Sequence, residues 1–224
     1  MKRGRADVLR FVLSKIKTQG EAAAVHKIFC IMGKSASGKD TIYEKLLQDT
    51  QLSLKKIIMY TTRPIRDQEQ EGREYHFCTD EEHEALRQAG KIIEERYYDT
   101  VYGRWYYFTA DDGQIDLTCS DCLIPGVLQS YLGMASYFGK DAVVPLYIEV
   151  EDGTRLLRAI GREKKQKQPK YEEMCRRFLS DTKDFSEEKL QTAGITRRFD
   201  NTGELTDCLR QLKGYIKEQQ ECNE

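Results

Sequence analysis

Ile28-Phe29-Cys30-Ile31-Met32-Gly33-Lys34-Ser35-Ala36-Ser37-Gly38-Lys39-Asp40-Thr41 is the stretch on which the fold turns. Five apolar residues end at a glycine, the pattern of a short strand buried on both faces in a parallel sheet. From Lys39 to Leu47 the spacing becomes helical, with Ile42, Leu46 and Leu47 apolar. Between the two elements, glycines let the backbone curl so that successive amides surround an anion at a helix N-terminus. The pattern is G-x-x-x-x-G-K, with Lys39 set to reach phosphate oxygens. A ligand-free Ser/Gly-rich turn is the plainer alternative, and the strand before and helix after outweigh it. Gly33, Ser35, Ala36, Ser37, Gly38, Lys39, Asp40 and Thr41 are therefore candidate nucleotide-phosphate residues. The position after the lysine ordinarily carries Ser or Thr for Mg²⁺; here it is Asp40, followed by Thr41. A carboxylate is a hard ligand for Mg²⁺ and suits a first helical turn, but without the metal it repels a triphosphate. Asp40 and Thr41 are the candidate Mg²⁺ ligands, and nucleotide binding is expected to depend strongly on the ion.

Outward from this loop, the remaining pattern alternates strands with helices, which predicts an α/β fold with a parallel sheet flanked by helices. Strands are expected at 54–59, 122–124, 142–150 and 196–199. Helices are expected at 127–138, 151–160, 171–190 and 205–217, with a polar, Lys/Gln-rich loop over 161–170. Short aromatic strands near 75–77, 92–98 and 105–108 read as an inserted lobe. Residues 4–18 place Leu9, Val12, Leu13 and Ile16 on one helical face, so 1–24 is expected to be an amphipathic arm. No stretch approaches the ~18 apolar residues of a membrane span. With 36 Lys+Arg against 37 Asp+Glu, the chain lacks the basic excess of a dedicated nucleic-acid binder. Thirteen tyrosines and eight phenylalanines at that low net charge argue against wholesale disorder. Seven scattered cysteines do not suggest a disulfide framework, which favours a reducing, cytoplasmic setting. The lone Cys119-Ser120-Asp121-Cys122 pair has no second pair beside it to complete a zinc site.

A second cluster follows the loop: Tyr60-Thr61-Thr62-Arg63-Pro64-Ile65-Arg66, then Glu69, Gly72, Tyr75 and Phe77. Arg63 and Arg66 can present two planar forks to one phosphate, and Tyr75 adds a hydroxyl donor. The alternative is a solvated loop whose Asp67, Glu69, Glu71 and Glu74 neutralise the arginines. Further on, Arg158 and Arg162 lie four apart on one helical face, and Arg176 and Arg177 open the next helix. On composition alone these form a solvated helix pair laced by Glu163, Glu172 and Glu173. Behind a phosphate loop and an anion-binding segment, they read better as a cationic lid over a transferred phosphoryl group.

The phosphate loop followed by T-T-R-x-x-R-x-x-E-x-x-G-x-x-Y-x-F from Thr61 to Phe77 resembles the guanylate kinase family, P-loop nucleoside monophosphate kinases. The resemblance covers about 25–218. It implies a core of 25–59 and 118–218, a monophosphate-binding lobe at 60–117, a lid at about 158–177 and a tail at 219–224. It implies phosphoryl transfer from ATP, with Mg²⁺, to GMP. Arg63, Arg66 and Tyr75 would hold the GMP phosphate, and Tyr102 would lie near the acceptor. Glu94 would accept hydrogen bonds from guanine N1 and the 2-amino group. Arg158, Arg162 and Arg177 match the closing lid, and Asn201 an asparagine near adenine. Catalysis would rest on Lys39, Arg63, Arg158 and Arg177. The chain departs from the pattern at Met59, at Arg104 and at 122–126, where an acidic L-D-x-D stretch is absent. These departures leave two alternatives open, a different monophosphate acceptor or a non-catalytic phospho-ligand-binding module. The partners implied are small-molecule nucleotides, with no nucleic acid and no membrane span.

Overall fold

The computed structural model describes residues 26–100 and 102–221; the expected arm at 1–24 lies outside them. The chain runs β1 (Ile28–Gly33), α1 (Lys39–Leu47), β2 (Lys55–Lys56), β3 (Tyr60–Thr61) and β4 (His76–Phe77). It continues with α2 (Asp80–Gln88), β5 (Ile92–Thr100), β6 (Gly103–Ala110), β7 (Cys122–Pro125) and α3 (Leu128–Phe138). It ends with β8 (Val143–Glu149), α4 (Asp152–Glu163), α5 (Tyr171–Asp184), α6 (Glu187–Thr192), β9 (Arg198–Asp200) and α7 (Leu205–Glu221).

β1 is the middle strand of a five-stranded sheet, order β2-β7-β1-β8-β9, in which every pairing is parallel. Alternate side chains of a strand point to opposite faces, and both faces of β1 are covered. Ile28, Cys30 and Met32 pack with Leu128, Tyr131 and Met134 of α3. Phe29 and Ile31 pack with Ile42 and Leu46 of α1 and with Leu212 and Ile216 of α7. Double coverage is why the strand reads as an unbroken apolar run: each fully buried Ile or Phe contributes about 1.5–3 kcal/mol.

The second sheet has the order β4-β3-β6-β5, with β3 and β4 parallel and the other pairs antiparallel. It is the aromatic insertion expected from sequence. Its β5 lies against α3 so closely that a Cβ on Gly133 would come within 2.5 Å of the Glu94 Cβ.

Four sequence-based boundaries shift. The strand expected over 54–59 is only Lys55–Lys56, because the Gln114 side chain takes over the backbone of Ile58. Its Oε1 accepts from Ile58 N at 2.8 Å, and its Nε2 donates to Ile58 O at 3.0 Å. The helix expected over 151–160 runs on to Glu163, whose carboxylate accepts from Lys170 N at 3.0 Å and closes the loop behind it. The single helix expected over 171–190 is two, broken at Phe185 (φ −114°, ψ 41°), after which Ser186 caps α6. The last helix passes 217 and reaches Glu221, absorbing part of the expected tail. A helix not expected at all, α2, starts with a capping box in which Thr79 and Glu82 satisfy each other's backbone amides. Gly133→Ala is expected to destabilise the chain by about 1–3 kcal/mol through overpacking, read as a lowered midpoint in denaturant unfolding.

Candidate active site

The loop at 33–40 bridges β1 and α1, and its glycines have steric reasons. A Cβ at Gly33 would lie 2.7 Å from Ile148 O, and one at Gly38 (φ +83°) would lie 2.6 Å from Asn201 Nδ2. Ala36 holds φ +62° without being glycine, local strain at the crest of the turn. Asn201, expected near an adenine, follows β9 and donates its Nδ2 to Ser37 O of the loop at 2.8 Å. Ser37 Oγ and Asn201 Oδ1 are buried there without a hydrogen-bond partner.

Lys39 Nζ lies 2.5 Å from Asp40 Oδ1 in an ion pair whose carboxylate is 92% exposed. Exposed pairs of this kind contribute little, so an incoming phosphate competes readily for the lysine. Thr41 is exposed beside it.

The loop is strapped from the far side by residues that sequence reasoning missed. Arg155 of α4 is 1% exposed and donates to Ser35 O at 3.0 Å, while Ser35 N donates to Asp181 Oδ2 of α5 at 2.7 Å. Asp152 accepts from Arg155 at 2.8 and 3.0 Å and from Lys34 at 3.3 Å, and Phe178 lies under the guanidinium at 4.5 Å. Both backbone polar groups of Ser35 are thus fixed by side chains of the two helices expected to carry the lid. A cleft of about 370 Å³ opens beside Lys34, but Glu149, Glu151, Asp152 and Asp200 line it, an unsuitable seat for phosphate.

The two arginines expected to share an acceptor phosphate are not equivalent. Arg63 is 4% exposed, and both arms of its fork rest on Glu69, at 2.7 and 2.6 Å. The Arg63 hydrogen bonds hold the Glu69 carboxyl below the usual range. Glu69 also accepts from the backbone of Arg66 at 3.0 Å, so the paired Arg63 shapes the turn that presents an exposed Arg66. The rings of Tyr75 and Phe77 flank Arg63 at 5.3 and 5.5 Å. Burial raises the Tyr75 phenol, which stays a neutral donor.

Glu94 is buried on β5. Burial pushes its carboxyl up, opposed by the charge of Arg96 and by hydrogen bonds from Thr109, Ser130 and Arg96. Thr109, its cross-strand partner, donates at 2.9 Å. Arg96, two residues on, points to the same face; no sequence reading had singled it out. The Cys30 thiol, pushed up to about 12 by burial, feels the charges of Glu94, Arg96 and Lys39 together. Glu94 lies against Gly133 of α3, and α3 itself packs on β1.

Of the remaining expected residues, Arg158 meets Asn201 beside the loop and the others are exposed. Tyr102 sits at the β5/β6 turn, 83% exposed, its ring stacked on Trp105 at 6.2 Å. Arg104 pairs with Asp99 at 2.8 Å and covers Tyr97 at 4.0 Å, out on the hairpin. Arg158 donates to the carbonyls of Asn201 and Thr202 at 2.9 and 3.3 Å. Arg162 is exposed, and Arg176 and Arg177 both pair with Glu173, whose carboxyl they hold down at about 2 despite partial burial.

A phosphate loop at the edge of a parallel sheet, an inserted second sheet carrying an anion-binding turn, and a helix pair bearing arginines define a P-loop kinase fold. The solved guanylate kinase of Anaplasma phagocytophilum has the same fold, with a TM-score of 0.58 over 88% of this chain and 87% of that one, at 22% identity. Residues 25–109 match the guanylate kinase family model. Over 83 residues the chain is 40% identical to the guanylate kinase of Porphyromonas gingivalis, covering 37% of this chain and 43% of that protein. Over 80 residues it is 40% identical to the guanylate kinase of Cupriavidus pinatubonensis, covering 35% of each. The chain thus spans less than half the length of these curated relatives, and its similarity to them is confined to that segment. The phosphate loop, Arg63, Arg66, Tyr75, Glu94 and Tyr102 fall inside the matched residues; the lid arginines and Asn201 fall outside them.

Arg155→Ala would leave the partly buried Asp181 and the exposed Asp152 without their buried cation. It is expected to cost about 3–5 kcal/mol of stability, measured by denaturant unfolding.

Proposed function

We propose that this chain transfers the γ-phosphoryl group of ATP to a nucleoside monophosphate, GMP in the first instance. One observation carries the reading: the glycine-rich loop bearing Lys39 leaves the end of β1, and the buried carboxylate of Glu94 lies against α3, the helix packed on that same strand. In this reading the loop amides and Lys39 hold the donor phosphates. Arg66, oriented through the Arg63 and Glu69 pair, meets the acceptor phosphate with the Tyr75 hydroxyl. Arg158, Arg162 and Arg177 draw in over the transferred group and help exclude water. No covalent intermediate is required; positioning and charge stabilisation suffice. The matched guanylate kinases support the reaction class.

Mg²⁺ fits the donor set at the loop. Asp40 and Thr41 are exposed hard-oxygen donors at the first turn of α1, and two buried polar atoms beside the loop lack partners. Asp40 and Thr41 would hold the ion, which would supply positive charge beside the donor phosphates. Chelation of Mg²⁺ should lower the affinity for a non-hydrolysable ATP analogue by at least about tenfold, because Asp40 then repels it. Equal affinity by calorimetry with and without the ion would discount that role for Asp40.

A coupled assay of ADP release with GMP, dGMP, AMP, CMP and UMP tests the reaction and its acceptor. GMP should give the highest kcat/KM, and no release with any acceptor would leave only a phospho-ligand-binding module. Lys39→Met should lower turnover by about 100-fold or more. Arg158→Ala should depress kcat more than it weakens ATP binding, and unchanged turnover would remove that arginine from the mechanism.

A further inference from the structure

Glu94 and Arg96 lie two residues apart on β5 and so share one face, roofed by α3. Both are almost fully buried, at 5% and 8% exposure. A buried ion pair repays its desolvation only when its geometry is good and its remaining hydrogen bonds are filled. This pair is incomplete. Arg96 Nη1 approaches the two Glu94 oxygens at 3.5 and 3.4 Å, well beyond the 2.7–2.9 Å of a charge-assisted bond. The strong bonds go elsewhere: Nη1 donates to Ser130 Oγ at 2.7 Å, and Thr109 donates to Glu94 Oε1 at 2.9 Å. Nη2 meets the Met59 thioether at 4.0 Å, a weak acceptor. A donor edge on Arg96 and an acceptor oxygen on Glu94 thus lie side by side, each short of a strong partner.

We infer that Arg96 is a specificity-determining residue of the acceptor site. Its Nη2 edge donates to the carbonyl oxygen of a base whose adjacent ring N–H is accepted by Glu94. This rests on the monophosphate-kinase reading above and deepens it. The matching chemistry is a lactam edge, N–H next to C=O, as at N1 and C6 of a 6-oxopurine. Adenine offers the reverse order, a bare ring nitrogen toward the carboxylate and an amino group toward the guanidinium, so it is rejected by both residues. Glu94 alone would read only the donors of the base; Arg96 adds the carbonyl. Sequence reasoning looked for this second reader at positions 59 and 104. The structure has a thioether at Met59 and sends Arg104 out to Asp99.

Two analogues separate the two contacts. Inosine monophosphate keeps the carbonyl and lacks the 2-amino group; 2-aminopurine riboside monophosphate keeps the amino group and lacks the carbonyl and the N1 proton. For wild type and Arg96→Gln, kcat, KM and calorimetric Kd are measured with GMP, inosine monophosphate, 2-aminopurine riboside monophosphate and AMP. One lost charge-assisted contact is worth about 10- to 100-fold. Arg96→Gln is therefore expected to raise KM and Kd for GMP and inosine monophosphate by that factor. It should leave 2-aminopurine riboside monophosphate within about threefold, as no carbonyl contact is lost. A uniform loss across all four nucleotides, or an unchanged ratio of GMP to the 2-aminopurine nucleotide, overturns the assignment and makes Arg96 a structural counter-ion. If Arg96→Gln does not fold, the double variant Glu94→Gln/Arg96→Met removes both charges together. It should lose preference for GMP over AMP and over the 2-aminopurine nucleotide, and retained preference overturns the inference. Failure of wild type to bind any of the four overturns the acceptor reading itself. That result is distinct from a failed Arg96 assignment, which leaves wild-type use of GMP intact.

Discussion

Everything at this site depends on the closeness of the 33–40 backbone to its surroundings. Gly33 and Gly38 are pressed against Ile148 and Asn201 at distances no Cβ could occupy, because the loop must turn inside a gap set by β8 on one side and the end of β9 on the other. That gap exists because β1 is gripped from both faces by apolar helices. The sheet therefore fixes where the amides at the head of α1 point, and a helix N-terminus so held suits an anion without help from mobile side chains. Arg155 and Asp181 extend the same fixation to Ser35, so the helices that carry the remaining arginines are tied to the loop they would close over.

The cations of the site are mostly matched with carboxylates of the same chain, consistent with a sequence that balances 36 basic against 37 acidic residues. Their exposure sorts them by the ease with which they exchange partners. The Asp40 side chain is 92% exposed against Lys39, whereas the Glu69 side chain is 15% exposed against a buried Arg63. The first pair gains little from its own attraction and yields to a phosphate. The second is a bidentate, largely desolvated bond that persists and serves as scaffold. Arg177, exposed against Glu173, belongs with the first group. Lys39 and Arg177 thus sit in pairs that exchange easily, whereas Arg63 sits in one that braces its turn.

The core was legible because its signals are local and periodic: the apolar run at 28–32, the helical spacing after it, and the glycines between them. The acceptor turn was legible as a motif, but not the division of labour within it, since nothing in T-T-R-x-x-R says that Glu69 takes the first arginine's fork. Features set by long-range side-chain contacts stayed hidden. Gln114 replacing a strand neighbour of Ile58, and Asp181 reaching Ser35 from 146 residues away, leave no trace in a window of sequence. α2 was missed because His83 is its buried residue, which gives no apolar stripe, although Thr79 and Glu82 spell its start. Arg96 could have been found: Glu94-x-Arg96 in a strand places opposite charges on one face.

Met59 gives that pair its character. A hydroxyl or carbonyl at this position would saturate the Arg96 Nη2 edge and close the network without a ligand. A thioether at 4.0 Å does not, since sulfur is a poor acceptor, while its bulk still excludes water from the buried guanidinium. Ser130 meanwhile pins Nη1, so the guanidinium cannot swing fully onto Glu94 and cancel it. Methionine at 59 and arginine at 96 therefore act as one unit. Together they leave the Nη2 edge of Arg96 uncommitted. A pocket built this way holds its two charges slightly apart, at a cost in stability, and a ligand bearing both a donor and an acceptor recovers that cost on binding.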